Sequence, residues 1–156
     1  MAIEVGKKAP DFVLFSDEKK EVKLSDYKGH NVVINFFPAA FTGVCTNQLC
    51  DARDNMKKYE SLNAKVLGIS VDSLFTLEKF KADNNYNFTF LSDFNKVVSK
   101  KYDAFYKDFV LGMKGVSKRA IFVIDAKGIV RYAEVLANAG ELPNFVAVRE
   151  TLATLK

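Results

Sequence analysis

The run Asn31-Val32-Val33-Ile34-Asn35-Phe36-Phe37-Pro38 decides the fold. Val, Ile and Phe favour strands, and here they follow one another almost without a break, whereas a half-buried strand alternates apolar and polar residues. Continuous apolarity predicts a strand covered on both faces. Pro38, which has no N–H to donate, ends it. From residue 42 to about 62 the pattern turns helical, with few β-branched residues and charges at Asp51, Arg53, Asp54, Lys57 and Lys58. Lys65-Val66-Leu67-Gly68-Ile69-Ser70-Val71 then predicts a second buried strand.

Upstream, Asp11-Phe12-Val13-Leu14-Phe15 and Glu21-Val22-Lys23-Leu24 flank a charged tip and predict a β-hairpin. Residues 25–29 form a short helical turn closed by Gly29. Downstream, Ser73 is the expected N-cap of a helix over 74–83, in which Leu74, Leu77 and Phe80 recur at helical spacing. A short strand over 88–91 and a short helix over 95–102 follow. The stretches 119–125 and 129–135 flank Asp125-Ala126-Lys127-Gly128 and predict an antiparallel hairpin. Residues 143–155 read as a closing helix with Pro143 in its first turn. This order gives an α/β fold, a central mixed β-sheet flanked by helices. It matches the thioredoxin-like architecture with an N-terminal β-hairpin extension, in one domain spanning 1–156.

Composition agrees with that size. Of 156 residues 49% are apolar and 27% charged, enough for a core without disulfide staples or a structural metal. The net charge of +4 is spread along the chain, and no patch interleaves Arg with aromatic residues, so nucleic acid is not an expected partner. No stretch approaches the ~18 apolar residues of a membrane helix, and residues 1–8 do not resemble a signal peptide. A cytoplasmic protein with no membrane partner is expected. Neither phosphate-loop nor dinucleotide fingerprint occurs. Two cysteines and one remote histidine, His30, do not furnish a zinc site, so no metal or cofactor is expected. His30 is expected on a surface loop at the end of the sheet away from the cysteines. Two cysteines in a reducing compartment are either inert core residues or chemistry.

The segment Pro38-Ala39-Ala40-Phe41-Thr42-Gly43-Val44-Cys45-Thr46-Asn47-Gln48-Leu49-Cys50 joins the end of the buried strand to the first turn of the helix. A thiol there meets the positive end of the helix dipole and unpaired backbone N–H groups, which favour thiolate over thiol. Such end effects are worth ~0.3–2 kcal/mol, so a nearby cation is expected as well. On position alone, a buried inert Cys45 is an equal alternative.

Pro38, Thr42 and Cys45 fit the pattern Pro-x-x-x-(Thr/Ser)-x-x-Cys, and here the sequence resembles the peroxiredoxin family. Gly6-Lys7-Lys8-Ala9-Pro10-Asp11-Phe12, Leu91-Ser92-Asp93 followed by Tyr102, and residues 119–128 extend the resemblance over nearly the whole chain. It implies a thiol peroxidase that reduces hydrogen peroxide and organic hydroperoxides through a sulfenic acid at Cys45. Pro38 would shield the thiolate, and the Thr42 hydroxyl would bond thiolate and peroxide. Arg119 would supply the cation, and the N–H groups of Val44 and Cys45 would add donors for the substrate. The family often has Glu three residues after this cysteine, where this chain has Gln48, which keeps hydrogen-bonding capacity without the charge.

Cys50 lies five residues on, ~140° and ~7.5 Å away along an intact helix. An internal disulfide needs Cα atoms within ~7 Å, so the first turns would have to unwind. The Cys-x₄-Cys spacing resembles the bacterioferritin comigratory protein group, in which the second cysteine resolves the sulfenic acid. The wording of residues 36–45 resembles the alkyl hydroperoxide reductase E group, in which an external thiol does so. Both remain open for Cys50, as does a redox-sensing protein on the same fold. The resemblance further implies a thioredoxin or glutaredoxin-like thiol reductant and a homodimer. The aromatic stretch 102–113 is a candidate wall for the peroxide pocket or a dimer face.

Overall fold

The computed structural model describes residues 3–155. Strands β1 (Val13–Ser16) and β2 (Glu21–Lys23) pair antiparallel as the N-terminal hairpin, followed by a 3-10 turn at Leu24–Tyr27. Strand β3 (Asn31–Phe36) is buried along its whole length, as its continuous apolarity requires. The single helix expected over 42–62 is instead two, α1 (Gly43–Asp54) and α2 (Met56–Ser61). They break at Asn55, whose side-chain Nδ2 donates to the Asp51 carbonyl at 2.8 Å. A short amide that bonds its own backbone competes with helical geometry, and Asn55 sits at φ −107, ψ 15.

Strand β4 (Ala64–Ser70) leads to α3 (Leu74–Asn84), capped as expected by Ser73, whose Oγ accepts from the Thr76 N–H at 3.2 Å. Strand β5 (Thr89–Ser92) and helix α4 (Val97–Lys101) follow. A small two-stranded sheet that the sequence pattern does not announce comes next, β6 (Phe105–Asp108) against β7 (Lys114–Ser117). Strands β8 (Ala120–Ile124) and β9 (Val130–Val135) form the second expected hairpin. Helix α5 (Phe145–Ala153) is capped by Asn144, whose Oδ1 accepts from the Ala147 N–H at 3.0 Å. Pro143 therefore precedes the helix rather than standing in its first turn, because the side-chain acceptor at Asn144 takes the cap position.

The main sheet has the order β2-β1-β5-β4-β3-β8-β9, with β3 parallel to β4 and antiparallel to β8. Side-chain alternation divides the core. Val33, Phe37, Ile121 and Val123 meet Leu49, Leu77, Phe80, Val148 and Leu152 from the helices on one face. Val32, Ile34, Phe36 and Phe122 meet Phe12, Leu24, Val98 and Tyr102 on the other. The register of β3 against β8 pairs Phe36 with Ala120. Arg119 thus emerges level with Phe37, at the end of the sheet where Pro38 starts the loop into α1. His30 lies at the other end of β3, exposed, with Nδ1 2.8 Å from Asn63 Oδ1.

Candidate active site

The loop from β3 into α1 is fixed by short polar contacts. Asp72 Oδ2 accepts from the Ala40 N–H at 2.8 Å and from Ser70 Oγ at 2.6 Å. Phe41 has a left-handed backbone, φ 67, with its ring 5.1 Å from that of Phe80. A non-glycine residue held there stores of order 1 kcal/mol or more. Thr42 is the extended N-cap residue of α1, and its hydroxyl donates to the Ala39 carbonyl at 2.9 Å rather than to the sulfur of Cys45. The first helical bond runs from the Thr46 N–H to the Thr42 carbonyl. The N–H groups of Gly43, Val44 and Cys45 therefore precede the helical ladder and are its unpaired donors.

Cys45 is 1% exposed and packs with Phe37 and Leu49. Its sulfur is 3.2 Å from Arg119 Nη1, which also donates to Gln48 Oε1 at 3.0 Å. The other edge of the guanidinium is clamped, with Nε and Nη2 donating to the Ala139 carbonyl at 3.0 and 2.8 Å. Arg119 is itself 2% exposed, so these contacts lie in a medium where charge-assisted bonds are strong. Gln48 is fully buried and continues the chain, with Nε2 3.2 Å from Asn35 Oδ1. Asn35 Nδ2 has no partner among the described residues.

The cysteine opens onto a cavity of about 870 Å³ lined by Pro38, Thr42, Val44, Arg119 and the apolar Phe109 and Met113. Tyr106 closes one side, its hydroxyl donating to the Ala137 carbonyl at 3.0 Å in the loop that holds Arg119. Residues 106–113 thus wall the cavity. Tyr102 does not: it is buried on the far face of the sheet, with its hydroxyl donating to the Pro10 carbonyl at 2.6 Å. The structure therefore brings Pro38, Thr42, Val44, Cys45 and Arg119 to one cavity. Cys50 lies further along α1, half-buried, with its sulfur 3.8 Å from the Tyr86 hydroxyl, and both cysteines are free thiols. Asp72 and Ala139, which position the loop and the guanidinium, carry no motif by which the sequence marks them.

A sequence profile described as the AhpC/TSA family matches residues 5–133. The chain belongs to the peroxiredoxin family. It is 38% identical to Peroxiredoxin Bcp of Bacillus subtilis over 130 residues, 82% of each chain. It is 36% identical to Alkyl hydroperoxide reductase E of Mycobacterium tuberculosis over 136 residues, 85% of this chain and 86% of the relative. Among solved structures, Peroxidoxin BcpB from Mycobacterium tuberculosis superposes with a TM-score of 0.87 at 26% identity over 99% of each chain. This peroxiredoxin is accordingly a thiol peroxidase with a thioredoxin-like fold. Among its described residues, no helix is long and apolar enough to cross a membrane.

Proposed function

We propose that Cys45 is the residue oxidised by the hydroperoxide and that Cys50 resolves it. The observation that carries this reading is the 3.2 Å contact between Arg119 Nη1 and Cys45 Sγ at the floor of the cavity. The Cys45 thiolate attacks one peroxide oxygen, an S–O bond forms and the O–O bond breaks. The departing oxygen takes a proton and leaves as water or an alcohol, and Cys45 is left as a sulfenic acid. Arg119 and the unpaired N–H groups of Val44 and Cys45 supply donors where negative charge moves from sulfur to oxygen. Pro38 covers the sulfur from the loop side. The Thr42 hydroxyl, turned from the Ala39 carbonyl, is a further donor or acceptor for the substrate.

Cys50 then attacks the sulfenic sulfur and releases water, after the first turns of α1 have unwound. A dithiol reductant of the thioredoxin or glutaredoxin kind returns the disulfide to two thiols. A homodimer is part of the same reading, supported by the exposed apolar Val110, Leu111 and Met113 beside the cavity. Two measurements test the proposal. Cys45→Ser should abolish steady-state peroxide consumption, and wild-type turnover in that variant overturns the assignment of Cys45. Intact mass after one equivalent of peroxide should show the loss of two hydrogens, whereas a persistent added oxygen marks an enzyme resolved by an external thiol.

A further inference from the structure

Helix α1 carries both cysteines, but its two halves are fastened differently. The second half is tied to the rest of the fold through polar bonds. Arg149 Nη1 donates to Asp51 Oδ2 at 3.0 Å, and Arg53 Nη1 to the Asn84 carbonyl at 2.7 Å. Asn87 Nδ2 donates to the Arg53 carbonyl at 3.3 Å. The first half sends Leu49 into the core and Cys45 and Gln48 to Arg119. On the flank that carries Thr46 and Cys50, the link is Tyr86. Its hydroxyl donates to the Thr46 carbonyl at 3.3 Å, and the Cys50 sulfur lies 3.8 Å from the same oxygen. One oxygen thus accepts from the thiol while its own proton goes to the helix backbone.

Tyr86 is well placed for such a task. It is 4% exposed, and its ring lies 5.1, 5.6 and 5.4 Å from those of Phe80, Phe88 and Phe90. Burial raises its proton affinity above that of an ordinary tyrosine. The hydroxyl therefore stays a donor across the physiological range.

We propose that Tyr86 is the clasp that holds the first half of α1 closed over Cys50 and so sets how fast Cys50 reaches oxidised Cys45. The proposal rests on the reading of Cys50 as the resolving thiol. In that step the S–S bond forms, the S–O bond of the sulfenic acid breaks, and the Cys50 proton leaves with the hydroxyl as water. Unwinding residues 43–50 breaks both Tyr86 contacts, while the bonds of Asp51 and Arg53 survive. The opening consequently ends at the junction of Cys50 and Asp51. Tyr86 touches no peroxide oxygen and is a positioning residue.

Tyr86→Phe keeps the ring in its aromatic cluster and removes only the hydroxyl. After one equivalent of hydrogen peroxide, quenched-flow intact mass should show disulfide formation about fivefold faster, the effect of one typical net hydrogen bond on the opening equilibrium. The rate of sulfenic acid formation should be unchanged. Sulfinic acid at excess peroxide should fall, because the sulfenic acid is captured sooner. Amide exchange in the reduced protein should quicken by the same factor over residues 46–54, whose N–H groups bond the carbonyls of residues 42–50, and not at Lys58, Tyr59 and Leu62, which bond beyond the opening. Unchanged or slower disulfide formation overturns the clasp, as does unchanged exchange over 46–54. A wild-type protein that keeps an added oxygen overturns the role of Cys50 instead, and the exchange comparison then decides by itself whether Tyr86 holds the helix.

Discussion

Arg119→Lys keeps a positive charge at the site and removes the fork, which separates the two things that arginine does there. In the wild type Nη1 serves Cys45 Sγ and Gln48 Oε1 at 3.2 and 3.0 Å, while Nε and Nη2 grip the Ala139 carbonyl at 3.0 and 2.8 Å. A lysine has one nitrogen, which cannot serve both edges of the former guanidinium. Of the four contacts only the one at sulfur touches a reacting atom. A hydrogen bond to a charged group contributes ~1.5–3 kcal/mol, so its loss should slow oxidation of Cys45 about 10- to 150-fold. Leaving a buried acceptor such as the Ala139 carbonyl unpaired should also lower unfolding stability by about 1–3 kcal/mol. Quenched-flow mass spectrometry of sulfenic acid formation reads the rate, and urea unfolding reads the stability. A folded Arg119→Lys protein oxidised within twofold of the wild-type rate would refute the argument, since charge alone would then suffice.

Three further outcomes are expected. Asp125 is held below its ordinary value of 3.8: burial alone raises it, but the N–H groups of Ile129 and Lys127 and the Arg131 guanidinium outweigh that. Because the folded value is the lower one, its stabilisation is complete above about pH 4 and is lost as pH falls through the folded value. Asp125→Asn should therefore narrow the difference between urea midpoints at pH 6 and pH 3, and an unaltered difference contradicts this. Ser73→Ala removes the Oγ cap at the Thr76 N–H and should cost ~1 kcal/mol with no change in peroxidase rate; unchanged thermal stability would count against the cap. In Gly68→Ala the new Cβ would stand 2.9 Å from Phe90 Cε2, and overpacking of that kind costs ~1–3 kcal/mol. A melting temperature equal to wild type would show that the Phe90 ring yields freely.

The elements that place the site are legible in the sequence because each depends on local chemistry. Continuous apolarity at residues 31–37 reports burial on two faces, Pro38 reports the strand end, and Arg119 stands at the start of a hairpin with a recognisable turn at residues 125–128. The break at Asn55 is not legible, because an asparagine inside a helical pattern is tolerated until its side chain finds the helix backbone. Strands β6 and β7 are hidden for another reason. They are four residues each and form a separate pair with only Val116 and Ser117 of β7 buried beside Gly115, so little hydrophobic periodicity marks them. Asp72 is one aspartate among many until the fold brings it to the Ala40 N–H. The hydroxyl direction of Thr42 depends on the Ala39 carbonyl in the same tight loop, which residue spacing cannot specify.

The grip on Arg119 comes from a main-chain oxygen, the Ala139 carbonyl. Every amino acid brings the same oxygen, so the identity of residue 139 is free to drift without disturbing the guanidinium. The length of the crossing from β9 to α5 is not free, because adding or removing a single residue would carry that oxygen away from the arginine. A chimera that exchanges this crossing with another of equal length should keep its arginine in register. One that alters the count should fold with its sheet intact and its guanidinium astray.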